Sequence, residues 1–462
     1  MSQQRQPRTA PLHVAKPAVR RPDLAEQSEL IRLEREVERE YRQQMLESLQ
    51  QKINEVAEST EGSTPICPEC NVTMKYHDRR EVSWITLYGK VKAEPSRYRC
   101  RRCSKERRPL LEVLGAEPGR ISGSLARLLA LLAAVAPYQL AAQLAWLLLG
   151  VKVSHKGVWS ATQRLGEAAA RYNEQMSAYH SDSRSDPGEA GKGETAVVLA
   201  VDACSLGMQV RTTRRRRKSN GEVPPELPAV EDGHFRDVKT GVILLPNERV
   251  ETSPGRRSLV KRFLVSCLGN ADEIFNHLWA GLQELGLLGS QTVVVIVGDG
   301  AEWIWNRATM FQRRCEILDF WHVMEHAWAF AHLCYGEGSA KADRWAHQIA
   351  ADLRAGKVRD VIARLKRMRP KSAPARASLE ALIRYYSENA SRMQYDEYIR
   401  LGYGIGSGAV ESAHKQVIHA RFRQAGMRWS ETGARRLLAL RLLLLNDNWA
   451  LLDQLRMVSL TA

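Results

Sequence analysis

The sequence has few cysteines and no long uninterrupted apolar run, and both shortages narrow the class of protein. Eight cysteines in 462 residues are too sparse for a secreted disulfide framework. The most apolar stretch, residues 125–151, is interrupted by Arg127, Pro137, Gln139 and Gln143, so no clean run approaches the ~20 residues of a membrane span. The first residues are basic and contain prolines without the apolar core of a signal peptide, so we expect a cytoplasmic protein.

Acidic residues are also scarce relative to basic ones. The chain has 68 lysines and arginines against 52 aspartates and glutamates, which gives a formal net charge of +16. This excess suits a polyanionic partner, of which nucleic acid is the commonest, although a basic protein with solvated faces would show the same total. A chain of 462 residues exceeds one ordinary core, so we expect about two to four domains.

Changes in composition divide the chain into regions. Residues 1–22 predict a disordered basic tail, and residues 23–60 predict a helix that Asp23 can cap. Apolar residues recur along this helix at helical spacing, so we expect it to pair with a partner helix; they are Leu30, Leu33, Val37, Tyr41, Met45 and Leu49. The later regions are a cysteine-containing segment at 61–115, helices at 120–180, a linker at 181–194, strand-rich sequence at 195–322, helices at 323–400, and a final part at 401–462.

Two Cys-x-x-Cys pairs, Cys67 with Cys70 and Cys100 with Cys103, predict a zinc ribbon. Four thiolates suit tetrahedral Zn²⁺, and the alternating sequence between the pairs predicts a hairpin that turns at Gly89. Redox-active dithiols are the alternative, although two pairs around one hairpin argue against them. Seven basic residues against one acidic residue in the segment 95–108 suit contact with phosphates.

The segment 120–180 has the order of a helix-turn-helix unit. A helix over 138–149 is closed by Gly150, and Ser154 can cap a second helix that reaches Gly166. A plain helical bundle is the alternative. Side chains of the second helix that would face a DNA groove are His155, Lys156, Trp159, Gln163 and Arg164.

Three acidic residues occupy unusual places. Asp202 follows the apolar run 197–201, Asp299 follows the apolar run 293–297, and Glu411 follows a glycine-rich loop at the start of a helix. Acids at the ends of buried strands are costly unless they are paired or bind a metal, and together these three could hold two Mg²⁺ ions. Taken singly, the aspartates could be turn residues and Glu411 a favourable charge at a helix start.

Longer motifs around these acids resemble transposases of the ISKra insertion-sequence family, a DDE group related to Mutator-like transposases. The resemblance runs from the cysteine pairs to the last helices. It is carried by Gly298-Asp-Gly-Ala301-Glu-Trp-Ile-Trp305, Ile317-Leu-Asp-Phe-Trp-His322, Glu325-His326, Tyr395, Gly402, Gly406-Ser-Gly-Ala-Val-Glu411-Ser, Gly426-Met-Arg-Trp429 and Gly433-Ala434.

The resemblance implies a multidomain α/β protein with an RNase H-like catalytic core at 195–322 and 401–462 and an all-α insertion at 323–400. It implies that Asp202, Asp299 and Glu411 form a catalytic triad that binds two Mg²⁺ or Mn²⁺ ions. The pair Asp319 and His322 resembles the Asp/Cys-x-x-His signature of the Mutator-like relatives, so His322 joins the catalytic residues. The family usually has glycine after the first aspartate, whereas this chain has Ala203-Cys204.

Basic and aromatic residues near these motifs are candidates for contact with DNA. A basic run lies in a Pro/Gly-rich segment, and further cations follow Glu411. Four tryptophans cluster near the second aspartate and could stack on unpaired bases, although most are expected in the core. The basic candidates are Arg214, Arg215, Arg216, Arg217, Lys218, Lys415, His419, Arg421, Arg423 and Arg428, and the tryptophans are Trp303, Trp305, Trp321 and Trp328.

These features together predict a transposase that binds terminal inverted repeats, cuts DNA and joins the freed 3′ ends to target DNA. Double-stranded DNA, from transposon ends and target, is the expected partner, with a homodimer or higher oligomer in the complex and a nucleoid-associated location. Two alternatives stay open: a non-catalytic zinc-dependent DNA-binding regulator derived from a transposase, and an RNase H-like nuclease that cleaves without joining.

Overall fold

The computed structural model describes residues 28–62, 64–116, 119–182, 196–209, 235–244, 249–253, 256–259 and 262–455. The predicted basic tail, the cap Asp23, residues 183–194 of the linker and the basic run 214–218 lie outside these ranges. The chain forms two compact units, described separately below. One contains Met1–Ser83 and Tyr88–Leu114, and the other contains Trp84–Leu87 and Gly115–Ala462.

A long helix dominates the first unit. Helix α1 (Glu29–Thr60) begins at Ser28, whose hydroxyl accepts a hydrogen bond from the amide of Ile31 and so satisfies a free donor of the first turn. The chain continues through β1 (Lys75–Arg79), β2 (Val82–Ile85), β3 (Lys90–Ala93), β4 (Ser96–Arg99), β5 (Glu106–Arg107) and α2 (Pro109–Val113). Strands β1, β4 and β5 form an antiparallel sheet, and Gly89 lies before β3 with φ of 146°.

The second unit begins with three helices: α3 (Gly123–Val135), α4 (Tyr138–Leu149) and α5 (His155–Asp182). Gly150 closes α4 in the left-handed conformation, and the Ser154 hydroxyl accepts from the amide of Gly157, as predicted. Helix α5 does not stop at Gly166, however. A side chain at Gly166 would come within 2.5 Å of the backbone oxygen of Arg436, so this glycine permits a close helix crossing.

A mixed five-stranded sheet forms the centre of the second unit. Its strands are β6 (Ala196–Gly207), β7 (Phe235–Leu244), β10 (Arg262–Cys267), β11 (Val293–Gly298) and β12 (Arg314–Leu318), and a separate antiparallel pair contains β8 (Arg249–Ser253) and β9 (Arg256–Leu259). The order is β10-β7-β6-β11-β12. Strand β7 runs antiparallel to β6 and β10, whereas β6, β11 and β12 are parallel.

Burial on both faces explains the apolar runs of the central strands. Residues 197–201 of β6 and 294–298 of β11 are buried, as in parallel strands covered on both sides. Helices α6 (Ala271–Glu284) and α7 (Glu302–Ala308) contribute to the same core. The predicted end of β6 at Asp202 is wrong, because the strand continues to Gly207 through its pairing with β7.

A helical segment follows β12. It contains α8 (Phe320–Tyr335), α9 (Ala340–Arg354), α10 (Val358–Arg367), α11 (Ala373–Asn389), the 3₁₀ turn Ala390–Arg392 and α12 (Tyr395–Arg400). The helices therefore begin three residues before the predicted position 323, because the buried carboxylate of Asp319 caps α8 by accepting from the amide of Trp321 at 2.8 Å.

The last elements return to the sheet. They are α13 (Gly408–His414), the π-helical turn Lys415–His419, α14 (Ala420–Phe422), α15 (Glu431–Leu445) and the 3₁₀ helix Trp449–Asp453. Helix α13 contacts β6 and β7, and α15 packs on α5. Across the described ranges, no helix combines the length and apolar character that a membrane crossing requires.

Candidate functional site

Two parallel neighbouring strands bring Asp202 and Asp299 to the same level. In the register of β6 and β11, Ala200 pairs with Val297, and each aspartate lies two residues beyond its paired residue. Neighbouring strands are separated by about 4.8 Å, and residues two apart on a strand point to the same face. The sheet therefore presents both aspartates at one edge.

Helix α13 covers this edge and brings the third predicted acid toward the first. His414 Nδ1 lies 3.6 Å from Asp202 Oδ2. Glu411 precedes His414 by three residues, and positions three apart share a helix face. The charge of Glu411 acts on Asp202, and its side chain is exposed to solvent. The structure thus brings Asp202, Asp299 and Glu411 into one neighbourhood.

The electrostatic environment of Asp202 is unfavourable to a lone carboxylate. The pKa of Asp202 is raised to about 6, chiefly by burial and in addition by the negative charges of Asp299 and Glu411. The amide of Ala203, which donates to Asp202 Oδ1 at 2.6 Å, and the imidazole of His322 act in the opposite direction. A cation bound here would relieve the repulsion among the three acids.

The three carboxylates are spread rather than clustered around one point. Their oxygens do not all lie within 4.8 Å of one another. No single ion could contact all three carboxylates in this arrangement. Carboxylate oxygens are the ligands that Mg²⁺ prefers, so the residues present have the chemical type that hard divalent cations require.

His322 is held beside the acids by a fully buried carboxylate. Its Nδ1 lies 2.8 Å from Asp319 Oδ2, and Asp319 also accepts hydrogen bonds from the amide and the hydroxyl of Ser407. Burial opposes the charge on Asp319, yet the hydrogen bonds from His322 and Ser407 hold its pKa below the usual value. The hydrogen bond to Asp319 raises the pKa of His322 to about 9, so this imidazole is a cation at neutral pH.

Tyr385 of helix α11 holds the backbone of the second acid, Asp299. Its hydroxyl donates to the backbone oxygen of Asp299 at 2.8 Å. Gly300, with φ of 98°, lies directly under the ring, and a side chain there would come within 3.0 Å of Tyr385 Cε2. His326 also packs against Tyr385, and the centroids of the two rings are 4.3 Å apart.

Of the four tryptophans, Trp321 is the exposed one. Its relative exposure is 57%, and it lies on Gly406, where an added side chain would come within 2.9 Å of the ring. Trp305 is buried in the core, as expected, whereas Trp303 and Trp328 are partly buried against it. Among these four, Trp321 is therefore the one whose ring is open to solvent.

The four paired cysteines form a second candidate centre, in the first unit. Their sulfur atoms all lie within 4.8 Å of one another, and Cys67 and Cys103 approach to 3.5 Å. Four thiolates around one Zn²⁺ at bond lengths of about 2.3 Å would be separated by about 3.8 Å, so the cluster fits a tetrahedral ion. The predicted zinc ligands Cys67, Cys70, Cys100 and Cys103 are therefore confirmed as one cluster that could bind a metal.

Each cysteine pair has the same local geometry. The amide of Asn71 donates to Cys67 O, and the amide of Ser104 donates to Cys100 O, at 2.9 and 3.0 Å. Both donors have positive φ, 51° for Asn71 and 60° for Ser104, which folds each short loop back on its cysteine. The repetition of this turn explains why two distant segments can present thiolates to one point.

Several predicted DNA contacts remain available on the surface of the second unit. Lys156, Lys415 and Arg423 are exposed, as are His155 and Trp159 at the start of α5. Arg423 donates to the backbone of Ser205 on β6, three residues and about 10 Å along the strand from Asp202. The run Arg214–Lys218 belongs to the undescribed residues, and its predicted role stays a prediction.

Three predicted DNA contacts are wrong, because their side chains are wholly or largely enclosed. Arg421 is 1% exposed, donates to Ala133 O at 2.7 Å, and lies over the rings of Tyr138 and Trp429. Gln163 is buried as well. Arg164, also predicted to face a groove, has its Nε and Nη1 atoms buried and lies against Gly119, so it does not present a free guanidinium to DNA.

Sequence reasoning missed three residues that shape the site. Ser407 lies within a quoted motif, but nothing in the pattern indicated that it binds Asp319. His414 could have been found by its helical spacing from Glu411. Tyr385 is 86 residues from Asp299, and no local signal predicts that contact.

Comparison with known proteins adds no assignment to this geometry. No protein-family model matches the chain, and no curated protein matches it.

Proposed function

We propose that this protein is a DDE transposase that binds the ends of an insertion sequence, cleaves DNA and joins the cut ends to a target. The observation that carries the proposal is the convergence of Asp202, Asp299 and Glu411, from two parallel strands and a covering helix, at one edge of a mixed sheet. The motifs shared with ISKra transposases give the specific reaction. A mixed sheet followed by a helical segment also agrees with the RNase H-like core and insertion that the resemblance implies.

The three carboxylates would hold two Mg²⁺ or Mn²⁺ ions. When bound, such ions activate water or a 3′-hydroxyl and stabilise the leaving oxygen of an in-line displacement at phosphorus. Asp202 would supply a carboxylate from β6 and Asp299 one from the residue that follows β11, whereas Glu411 would supply an exposed carboxylate from the short helix α13.

His322 and the nearby cations would bind the DNA backbone. Because Asp319 holds the imidazolium through Nδ1, its other nitrogen is left for anionic groups. The positive charge of His322 also interacts with the carboxylates of Asp202 and Asp299. Arg423 and Lys415 extend positive charge beyond the acids. The cysteine cluster would hold a structural Zn²⁺ in the first unit, and the exposed start of α5 would approach a groove.

An excision assay tests the proposal. A plasmid carries a marker between the genomic flanks of the coding sequence, and the full chain is expressed beside it. Asp299→Asn and Glu411→Gln should lower excision more than about a hundredfold, because each removes a metal ligand. Asp343→Asn and Glu337→Gln, exposed acids of the helical segment, are the matched controls and should excise normally.

The same assay separates the alternatives. Excision that persists in both site variants would contradict the metal triad. Ends that the wild type nicks but never joins would indicate a plain nuclease. Flanks that the wild type binds without any cleavage would indicate a non-catalytic regulator.

A further inference from the structure

The first half of helix α1 carries an apolar stripe that nothing in the described part of the chain covers. The stripe consists of Leu30, Leu33, Val37, Tyr41 and Met45, which are 46–65% exposed. Their spacing of three and four residues places them along one side of the helix. Large apolar side chains that are exposed together in one patch usually mark an interaction surface, whereas singly exposed ones are common and need no explanation.

The second half of α1 behaves differently. Leu46 packs on Gly89, where an added side chain would come within 3.0 Å of it, and Gln50 exchanges hydrogen bonds with the backbone of Lys92 on β3. Ile53 is buried. The helix is therefore anchored on its own unit from about Leu46 onward, while the 17 residues from Glu29 to Met45, about 25 Å of helix, extend without such packing.

Charge indicates what would cover the stripe. Residues 29–42 contain five glutamates and four arginines, in a chain whose net charge is +16. DNA and anionic membranes select helices with a basic polar face, so neither suits this segment. Arg32 pairs with Glu29 and Glu36, and Arg42 pairs with Glu38, which gives both signs along the flanks. Such a helix is complementary to a second copy of itself.

We infer that two copies of this protein associate through the stripe of α1, whose apolar side chains pack together as a pair of helices. A helix pair of this length buries an area near the lower end of specific interfaces, roughly 1,000 Å², so the dimer should dissociate on dilution. A dimer of this kind would allow the proposed transposase to bring two DNA ends together. Its formation depends on helix α1 and not on catalysis.

Sedimentation velocity of the full zinc-loaded chain, over about a hundredfold range of concentration, tests the inference. The wild type should shift from monomer to dimer. Leu33→Gln with Val37→Gln should remain monomeric, with at least about a tenfold weaker association. Arg39→Gln with Glu58→Gln, at exposed positions of the same helix outside the stripe and its charge pairs, introduces the same two glutamines without changing net charge and should still dimerise.

Two outcomes would overturn the inference. If the wild type stays monomeric, the stripe is covered by another segment or another partner and not by a second copy. If the dimer persists after the stripe substitutions, its interface lies elsewhere. Zinc content and far-ultraviolet circular dichroism check that each variant is folded; Leu30→Gln with Tyr41→Gln repeats the test if the first pair misfolds. Because the readout is mass, it separates failure of this inference from failure of the excision assay.

Discussion

His322 Nδ1 lies 2.8 Å from Asp319 Oδ2, and that carboxylate is 0% exposed. The same Asp319 oxygen accepts from Ser407, and its other oxygen caps helix α8 through the amide of Trp321. One buried charge therefore connects the end of β12, the start of the helical segment and the loop that leads to Glu411. The sequence motif Asp-x-x-His reflects this connection.

This pair gives a pH dependence of stability. The pKa of His322 is raised to about 9, chiefly by Asp319, against about 6.5 in an unfolded chain. Its stabilising effect should be complete below pH 6.5 and be lost as the pH rises through 9. In urea unfolding, His322→Gln should therefore lose stability relative to wild type at pH 6 and approach wild type near pH 10.

The exposed histidine His347 provides the control. It lies on α9 and contacts the backbone of Asp343 and the ring of Trp328 rather than Asp319, so any deficit of His347→Gln should be the same at pH 6 and near pH 10. A His322→Gln deficit that is the same at pH 6 and near pH 10 would show that the ion pair does not contribute.

Tyr385 should act as a positioning residue for Asp299. Its hydroxyl donates a hydrogen bond to the Asp299 backbone. Tyr385→Phe should therefore raise about tenfold the Mg²⁺ concentration that gives half-maximal DNA cleavage. Tyr386→Phe loses an equivalent hydrogen bond, 3.0 Å to Val323 O, and should cost similar stability, about 1 kcal/mol, without altering the Mg²⁺ dependence. Titration of cleavage rate against Mg²⁺ distinguishes them; equal behaviour of the two variants would make Tyr385 merely structural.

Two arginines that look alike in sequence should behave in opposite ways. Arg421→Gln should destabilise the protein by about 2 kcal/mol or more, because it empties a buried site that bonds Ala133 and stacks on two rings. Arg423→Gln should leave stability within about 1 kcal/mol and weaken DNA binding, with a shallower salt dependence. Thermal melts and filter binding at several salt concentrations measure both; a stable Arg421→Gln variant with weak DNA binding would reverse the assignment.

The cysteine cluster should bind about one zinc per chain. Cys67→Ser should reduce the zinc content to near zero and destabilise the first unit, because the metal contributes folding energy directly. Cys334→Ser, at an unpaired cysteine of α8, should keep the metal. Metal analysis of the purified proteins decides this, and zinc retained by Cys67→Ser would remove that thiol from the site.

The sequence predicts the parts of the site that follow from local pattern. Acids after buried apolar runs indicated Asp202 and Asp299, and the parallel register that aligns them is a consequence of two such runs becoming neighbours. Paired cysteines predicted their own cluster. Alternation could not show that β6 continues past Asp202, since its extension depends on pairing with β7 alone.

Long-range packing was beyond the sequence. Arg421 appeared to belong with Arg423, yet residues two apart on a helical turn face different sides, and Arg421 is the one on the buried side. Tyr385 reaches Asp299 through tertiary packing of the helical segment. Gly166 resembled a helix end but is a helix-crossing point, because close approach to Arg436 needs the same residue type as a turn.

Direct measurement of Mn²⁺ binding tests the central claim. Electron paramagnetic resonance counts the free Mn²⁺ that remains in the presence of the zinc-loaded full chain. The wild type should bind Mn²⁺ in competition with Mg²⁺, and Asp202→Asn with Asp299→Asn should abolish that binding while zinc content and folding are kept. Mn²⁺ binding that is unchanged in the double variant would contradict the account.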